Sequence, residues 1–393
     1  MKTIRQTLAV PFAFPVHFGR GFFEAGSPVL ARTINRLHEK RRHRVMVCVD
    51  QGVAKAWPEL AGKIARYFKA HPDVLELAGP IEIMPGGERA KTGLNLVVRT
   101  IGLMATRRLD RQSVVLVIGG GGLLDVVGLA ASLVHRGLRV LRMPTTVVGQ
   151  NDVGVGVKTG IDLHGSKNYL GTFAPPFAVI NDFDFLDRLS DREWIAGIAE
   201  AFKVAMIKDR RFFTFLCDKA ASLRARDRAA MERLVATCAR LHLDHIREGG
   251  DPFETGSARP LDFGHWSAHQ LEVLSRYRLR HGEAVAVGIA LDSYYAAHTG
   301  LIPARDFMAL VTGLKSAGLP VWHPLLESRG ERGQMAIFAG LARFREHLGG
   351  PLTITLPAPV GRRTEIHAMD PLVLHEGITR LKALSCIAGN VRK

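Results

Sequence analysis

Cysteine is scarce in this chain of 393 residues, and Cys48, Cys217, Cys238 and Cys386 stand far apart with no Cys-x-x-Cys pair among them. That pattern argues against a disulfide framework and a thiolate zinc site, leaving buried thiols. Long apolar runs are lacking too: no stretch of about 18 residues is unbroken by polar groups, and Met1-Lys-Thr-Ile-Arg5 has no long apolar follow-on of the signal-peptide kind. A soluble, cytoplasmic protein without membrane attachment is expected. Acid is in deficit, with 37 Asp and Glu against 53 Lys and Arg, a formal net charge of +16. Such an excess favours an anionic partner: nucleic acid, a membrane surface or a phosphorylated small molecule. The densest basic run, His38-Glu-Lys-Arg-Arg-His-Arg44, has no interleaved aromatic for base stacking. It reads as a solvated helix end, so no nucleic-acid partner is expected. Repeats and low-complexity linkers are absent.

The length exceeds that at which one core keeps growing, so two domains are expected, and 47% hydrophobic residues can fill both. Val45-Met-Val-Cys-Val-Asp50 reads as a buried parallel strand with an acid at its carboxyl end. In an open α/β sheet such an acid holds a ribose hydroxyl or caps the next helix. Ile81 to Lys91 reads as a strand, a turn and the start of a helix running to about Arg107, with Glu88 and Lys91 at its beginning. Ser113-Val-Val-Leu-Val-Ile118 is the clearest buried strand and runs into Gly119-Gly120-Gly121-Gly122-Leu-Leu-Asp125. The run does not match GxGxxG, but between strand and helix it suits amides cradling a diphosphate, with the helix taken from Asp125 to about His135. Arg136-Gly leads to the strand at Val140 and on to Pro144-Thr145-Thr146, delivering two hydroxyls and a guanidinium to one sheet edge.

The segment carrying Asp152, Lys158, Lys167 and Asn168 alternates glycine with β-branched residues and reads as a softened hairpin that approaches a phosphate or nucleotide closely. After the strand Ala178 to Asp182 the pattern turns helical, which puts the domain boundary between Leu186 and Glu193 and divides the chain into 1–188 and 189–393. Glu193 to Lys208 reads as one apolar helix with Glu200 and Lys203 on one face. Burying either charge alone would cost several kcal/mol, so a metal, an anion or an internal pair must compensate. Ala220 to Glu248 is amphipathic and arginine-rich, with no signal beyond helix.

Three histidines follow. His265 and His269 are four apart, so on a helix their rings leave one face, and His281 comes a helix length later. Packed core histidines are the plain alternative. Neutral imidazoles with a carboxylate and one open position are the ligand set of a catalytic zinc or similar divalent ion. The spacing is not HExxH, which weakens a metalloprotease reading.

Together these motifs, in order from about Asp50 to about Gly300, resemble the sugar phosphate cyclases, the family of 3-dehydroquinate synthase. The resemblance implies an N-terminal Rossmann-like NAD-binding α/β domain, a C-terminal α-helical domain, a homodimer, and NAD with a divalent metal, zinc or cobalt, in the cleft. Carried over by motif, Glu200, His265 and His281 are the metal ligands, with His269 beside the substrate. Asp50, Glu88, Lys91, Gly120, Gly121, Gly122, Asp125, Thr145 and Thr146 fall where the family binds NAD. Arg136, Asp152, Lys158, Asn168 and Lys203 fall around the substrate and its phosphate, and Lys167 is placed with both groups.

Two departures bear on substrate. Members acting on the carboxylate-bearing heptulosonate carry asparagine three residues before the first metal histidine and arginine four before that, where this chain has Asp262 and Ala258, with Arg259 one residue off. An anionic Asp262 disfavours a substrate carboxylate and suits hydroxyls. The lysine-rich C-terminal segment is replaced by Phe344-Arg-Glu-His-Leu-Gly-Gly350. The wording around Arg259-Pro-Leu-Asp-Phe-Gly-His-Trp is most similar to the sedoheptulose 7-phosphate cyclase branch, within it the 2-epi-valiolone synthase-like members. The implied reaction converts a phosphorylated seven-carbon ketose to a carbocycle with loss of phosphate, through transient oxidation by NAD, elimination, reduction and intramolecular aldol closure. The alternatives are 3-dehydroquinate synthase itself and a metal-dependent polyol dehydrogenase; a non-catalytic nucleic-acid binder is the reading from another class.

Overall fold

The computed structural model describes residues 3–8, 10–164, 166–249, 253, 260–330 and 333–387. Its N-terminal part is organised by a parallel sheet of β1 (Val16–Gly19), β2 (His43–Asp50), β3 (Leu75–Leu77), β4 (Glu82–Met84), β5 (Val114–Gly119), β6 (Arg139–Pro144) and β9 (Ala178–Asp182). The order is β1-β9-β6-β5-β2-β3, with β4 also pairing β2. At the centre Val45 to Val49 pairs with Val114 to Ile118. Both faces are covered, which is why these strands read as continuous apolar runs. Val45, Val47, Val49 and Leu116 point into one cluster, Met46, Cys48, Val115 and Val117 into the other. β7 (Lys158–Leu163) and β8 (Ser166–Phe173) form a separate antiparallel hairpin. A third and larger core holds the later helices together around Phe202, Trp266 and Leu291. Among the described residues no helix is long and apolar enough to cross a membrane.

Several boundaries differ from the sequence expectation. The helix after β5 begins at Gly121 rather than Asp125 and runs Gly121–Leu133, with Gly120 extended at its N-cap. Glu88–Lys91 is a short 3-10 turn, and the helix expected there starts only at Asn95. The apolar stretch read as one helix is two, Asp191–Ala196 and Ile198–Lys208. Gly197 stands at the break, where a Cβ would lie 2.3 Å from Cβ of Val147. Asp152 belongs to the π-helical turn Gly149–Val153 that precedes the hairpin, not to a strand. Near the C-terminus a short antiparallel pair forms from Ile354–Pro357 and Arg363–Ile366. Arg345 lies in the helix Ala339–Leu348.

Candidate active site

A cleft of about 820 Å³ opens over the carboxyl edge of the sheet and is closed on its far side by the later helices. Its sheet-side wall is made largely of backbone. Asp50 ends β2, and its Oδ1 accepts the Gly52 amide at 2.7 Å, so the acid caps the helix Gln51–Ala56 while facing the cleft. Burial raises the Asp50 pKa, opposed by backbone amide bonds. Gly122 has no room for a side chain, since a Cβ there would lie 2.5 Å from the Gly87 carbonyl oxygen. The glycine turn and the Gly87 loop therefore touch backbone to backbone, at a helix N-terminus suited to an anion. The Thr145 amide donates to the Gly119 carbonyl at 3.0 Å, and Thr146 Oγ1 accepts the Gly149 amide at 3.0 Å. Lys91 is buried and donates to Asp125 Oδ2 at 2.7 Å and to Asn168 Oδ1.

The opposite wall is made of charged side chains. Glu200, in the first turn of Ile198–Lys208, is fully buried. Its Oε2 lies 2.6 Å from Lys203 Nζ and its Oε1 3.0 Å from His281 Nε2, yet neither oxygen accepts a well-aligned hydrogen bond. Carboxylate oxygens in that condition call for a further cation. His265 opens the helix His265–Leu274, after Gly264 at φ +78°, a left-handed conformation that glycine adopts without cost. Its Nδ1 lies 3.1 Å from the Phe263 carbonyl. A carbonyl only accepts, so Nδ1 carries the hydrogen and Nε2 is left bare as a ligand atom. His281 opens the helix His281–His298, and its Nδ1 faces Glu272 Oε2 at 3.4 Å. One ligand atom each from Glu200, His265 and His281 lie within 4.8 Å of one another. Two imidazoles and a carboxylate fit a divalent ion with a coordination position open to the cleft. Burial lowers the His281 pKa, but Glu272 and Glu200 push it up to about 10, so an ion at Nε2 must displace a proton. His269 lies one turn on, its ring centroid 5.2 Å from that of His265. Burial and the neighbouring His265 drive it down to about 3, so this ring is neutral.

Between the two walls stands Asp152, with His242 Nδ1 2.7 Å from its Oδ1. Burial would raise its pKa, but Lys203 and His242 drive it well below the carboxylate range. Asp262, in the turn Pro260–Asp262, is likewise held low against burial by Lys158, His265, His269 and Lys203. Both acids are therefore ionised at neutral pH. Burial lowers the Lys203 pKa, but Glu200 and Asp152 raise it further, so it stays charged.

The family model of the 3-dehydroquinate synthase N-terminal domain matches residues 81–196, and that of its C-terminal domain residues 197–336. The 2-epi-5-epi-valiolone synthase of Streptomyces glaucescens is 37% identical over 74% of this chain and 73% of its own length. The chain belongs to the 3-dehydroquinate synthase family of sugar phosphate cyclases. A 3-dehydroquinate synthase of Rhodopseudomonas palustris is 31% identical over 95% of this cyclase and 94% of its own length. Among solved structures, the 2-epi-5-epi-valiolone synthase of Streptomyces hygroscopicus subsp. jinggangensis, with NAD+ and Zn2+ bound, superposes with a TM-score of 0.84 at 28% identity, covering 97% of this chain and 99% of that one. The cyclase is an enzyme with the Rossmann-like α/β plus helical architecture the motifs implied.

The fold gathers nearly all the residues singled out by motif. Asp50, Glu88, Lys91, Gly120, Gly121, Gly122, Asp125, Thr145, Thr146 and Lys167 line the cleft, as do Asp152, Lys158, Asn168, Lys203, Asp262, His265, His269 and His281. Glu200 lies directly behind His281. Arg136 is the exception and a correction: it is exposed and precedes β6, whereas Thr145 and Thr146 follow it, so they occupy opposite ends of the strand. The buried guanidinium near the cleft is instead Arg142, which donates to the carbonyls of Gly154, Gly156, Lys158 and Ala174. Lys203, expected beside the phosphate, is bound up with Glu200. Ala258 and Arg259 lie outside the described residues. Sequence reasoning missed Glu272 and His242. Glu272 shares a helix face with His265 and His269 at seven- and three-residue spacing, a signal that was available. His242 had none, because its helix Arg228–Glu248 is merely amphipathic.

Proposed function

We propose that this cyclase converts sedoheptulose 7-phosphate to a carbocycle with release of phosphate, using NAD and zinc or cobalt. The observation that carries the substrate is Asp262, an ionised carboxylate lining the cleft beside His265 and His269. A substrate carboxylate there would meet like charge, whereas hydroxyls could donate to it. The 2-epi-5-epi-valiolone synthases among its relatives support the same branch. Residues 1–188 would hold the nucleotide on the Gly120 to Gly122 turn, with Asp50 toward a ribose, and residues 189–393 the ion at Glu200, His265 and His281.

NAD would supply a reversible hydride acceptor and the ion a Lewis acid for the hydroxyl being oxidised. The chain's own work is positioning and charge. Asp152 and Asp262 accept from ring hydroxyls and fix which carbon faces the nicotinamide side. Lys158, with Asn168, holds the phosphate and stabilises charge as the C–O bond breaks. Neutral His269 donates or accepts near the same group without adding charge. The substrate's phosphate can take the proton lost in elimination, so no side chain need act as its base. We further propose a cytoplasmic homodimer, to be checked by solution mass, with neither nucleic acid nor membrane as partner.

The test incubates the protein with NAD and zinc or cobalt, and separately with sedoheptulose 7-phosphate and with the heptulosonate phosphate that yields dehydroquinate. Released phosphate is measured and the ring product identified. Turnover of the sedoheptulose ester without net NADH is expected. Turnover of only the carboxylated sugar would overturn the Asp262 argument, and NADH in proportion to product would point to a polyol dehydrogenase.

A further inference from the structure

Glu272 has no part in the chemistry above, yet it is 2% exposed and ionically engaged on both sides. Its Oε2 lies 3.4 Å from His281 Nδ1, and its Oε1 2.9 Å from Lys167 Nζ. Lys167 is itself shared, with Glu88 Oε1 at 2.7 Å. Beyond His281, Nε2 meets Glu200 Oε1 at 3.0 Å. Glu88, Lys167, Glu272, His281 and Glu200 thus form one line of alternating charge from the nucleotide wall to the ion site.

We propose that Glu272 is the positioning residue for the ion ligand His281, and that Lys167 sets its strength. A carboxylate beside Nδ1 accepts a hydrogen bond from the ring N–H there, fixes the tautomer with a bare Nε2 toward Glu200, and makes that nitrogen a stronger ligand to the ion. A lysine ammonium on the other carboxylate oxygen withdraws part of that negative charge. The two neighbours therefore act on the ion with opposite sign. The competing reading makes Glu272 a ligand of a second ion with His269 and His281, whose ligand atoms also lie within 4.8 Å of one another. The hydrogen bonding argues against it: both Glu272 oxygens already have partners, Lys167 Nζ and His281 Nδ1, whereas both Glu200 oxygens lack one.

The inference rests on Glu200, His265 and His281 holding the ion. Zinc affinity and stoichiometry of the full chain are measured at fixed pH by competition with a chromophoric chelator, for wild type, Glu272→Gln, Glu272→Asp, Lys167→Met and Glu200→Gln. One equivalent is expected in wild type. Glu272→Gln should weaken binding about 10- to 100-fold, the usual cost of losing such a partner. Glu272→Asp should recover part of that loss, which a purely structural role would not produce. Lys167→Met should tighten zinc several-fold. Glu272→Gln within twofold of wild type, weakening by both Glu272→Gln and Lys167→Met, or a second equivalent that disappears with Glu272→Gln would each overturn the relay. Wild-type affinity in Glu200→Gln would instead overturn the ion site itself.

Discussion

The two walls of the cleft solve the problem of holding charged ligands in different ways. On the sheet side, amides and glycines do the holding: Gly122 meets the Gly87 loop with no space for a side chain, and Asp50 and Lys91 each have a hydrogen-bond partner. On the helical side, Glu200, Lys203, Asp152, Asp262, Glu272 and His281 are buried or half-buried charges that depend on each other. Backbone walls tolerate little added volume, because main chain cannot swing away. Charged walls tolerate volume better than the loss of one charge, since each removal strands a partner.

Removing a charge from the helical wall should have the largest effect. Glu200→Ala leaves Lys203 buried without its ion-pair partner, and urea unfolding of the metal-free protein should show a loss of about 3–5 kcal/mol. Next comes a methyl group on the sheet wall. Gly122→Ala places a Cβ 2.5 Å from the Gly87 oxygen. The strain, about 1–3 kcal/mol, should appear as about a tenfold loss of NAD affinity by fluorescence titration, with zinc affinity unchanged. Equal damage to both affinities would erase the distinction between the walls.

The contrast extends to pH. At the end of β9, burial pushes Asp182 up to about 6 although Asp184 and Phe22 amides bond it. A carboxylate raised in the folded state favours folding below its unfolded pKa of 3.8, and that contribution is lost as pH climbs through about 6. The Asp182 contribution should therefore fall by on the order of 2 kcal/mol between about pH 4 and 6, measured as the difference in the pH dependence of thermal stability between wild type and Asp182→Asn. The smallest effect is expected outside both walls: Arg136→Ala, exposed and beyond the cleft, should shift unfolding by no more than about 0.5 kcal/mol and leave zinc affinity alone.

The sheet wall was the more legible of the two. Strands covered on both faces announce themselves as apolar runs, and a glycine cluster at the end of one locates the turn. Its details escaped because they depend on distant partners: Gly122 leaves no room for a side chain against the Gly87 carbonyl, which no local pattern reveals. In the same way Gly197 packs against Val147, in another part of the chain. On the helical wall the proposed ion ligands came through resemblance, but the charges beside them did not. Glu272 pairs with Lys167 from the hairpin, and His242 with Asp152, pairings that exist only once the walls face each other. Arg136 lies outside this cleft although it is close in sequence to Thr145, because β6 separates them.

Arg142 has a consequence for how such an enzyme can change. Its guanidinium grips the segment between Gly154 and Lys158, and Ala174 across the hairpin, entirely by main-chain oxygens. A loop fastened by its carbonyls keeps its path whichever side chains it displays. Positions such as Val157 can then be exchanged to suit another sugar while Asp152 and Lys158 stay in place, so substrate preference can drift without the scaffold being rebuilt.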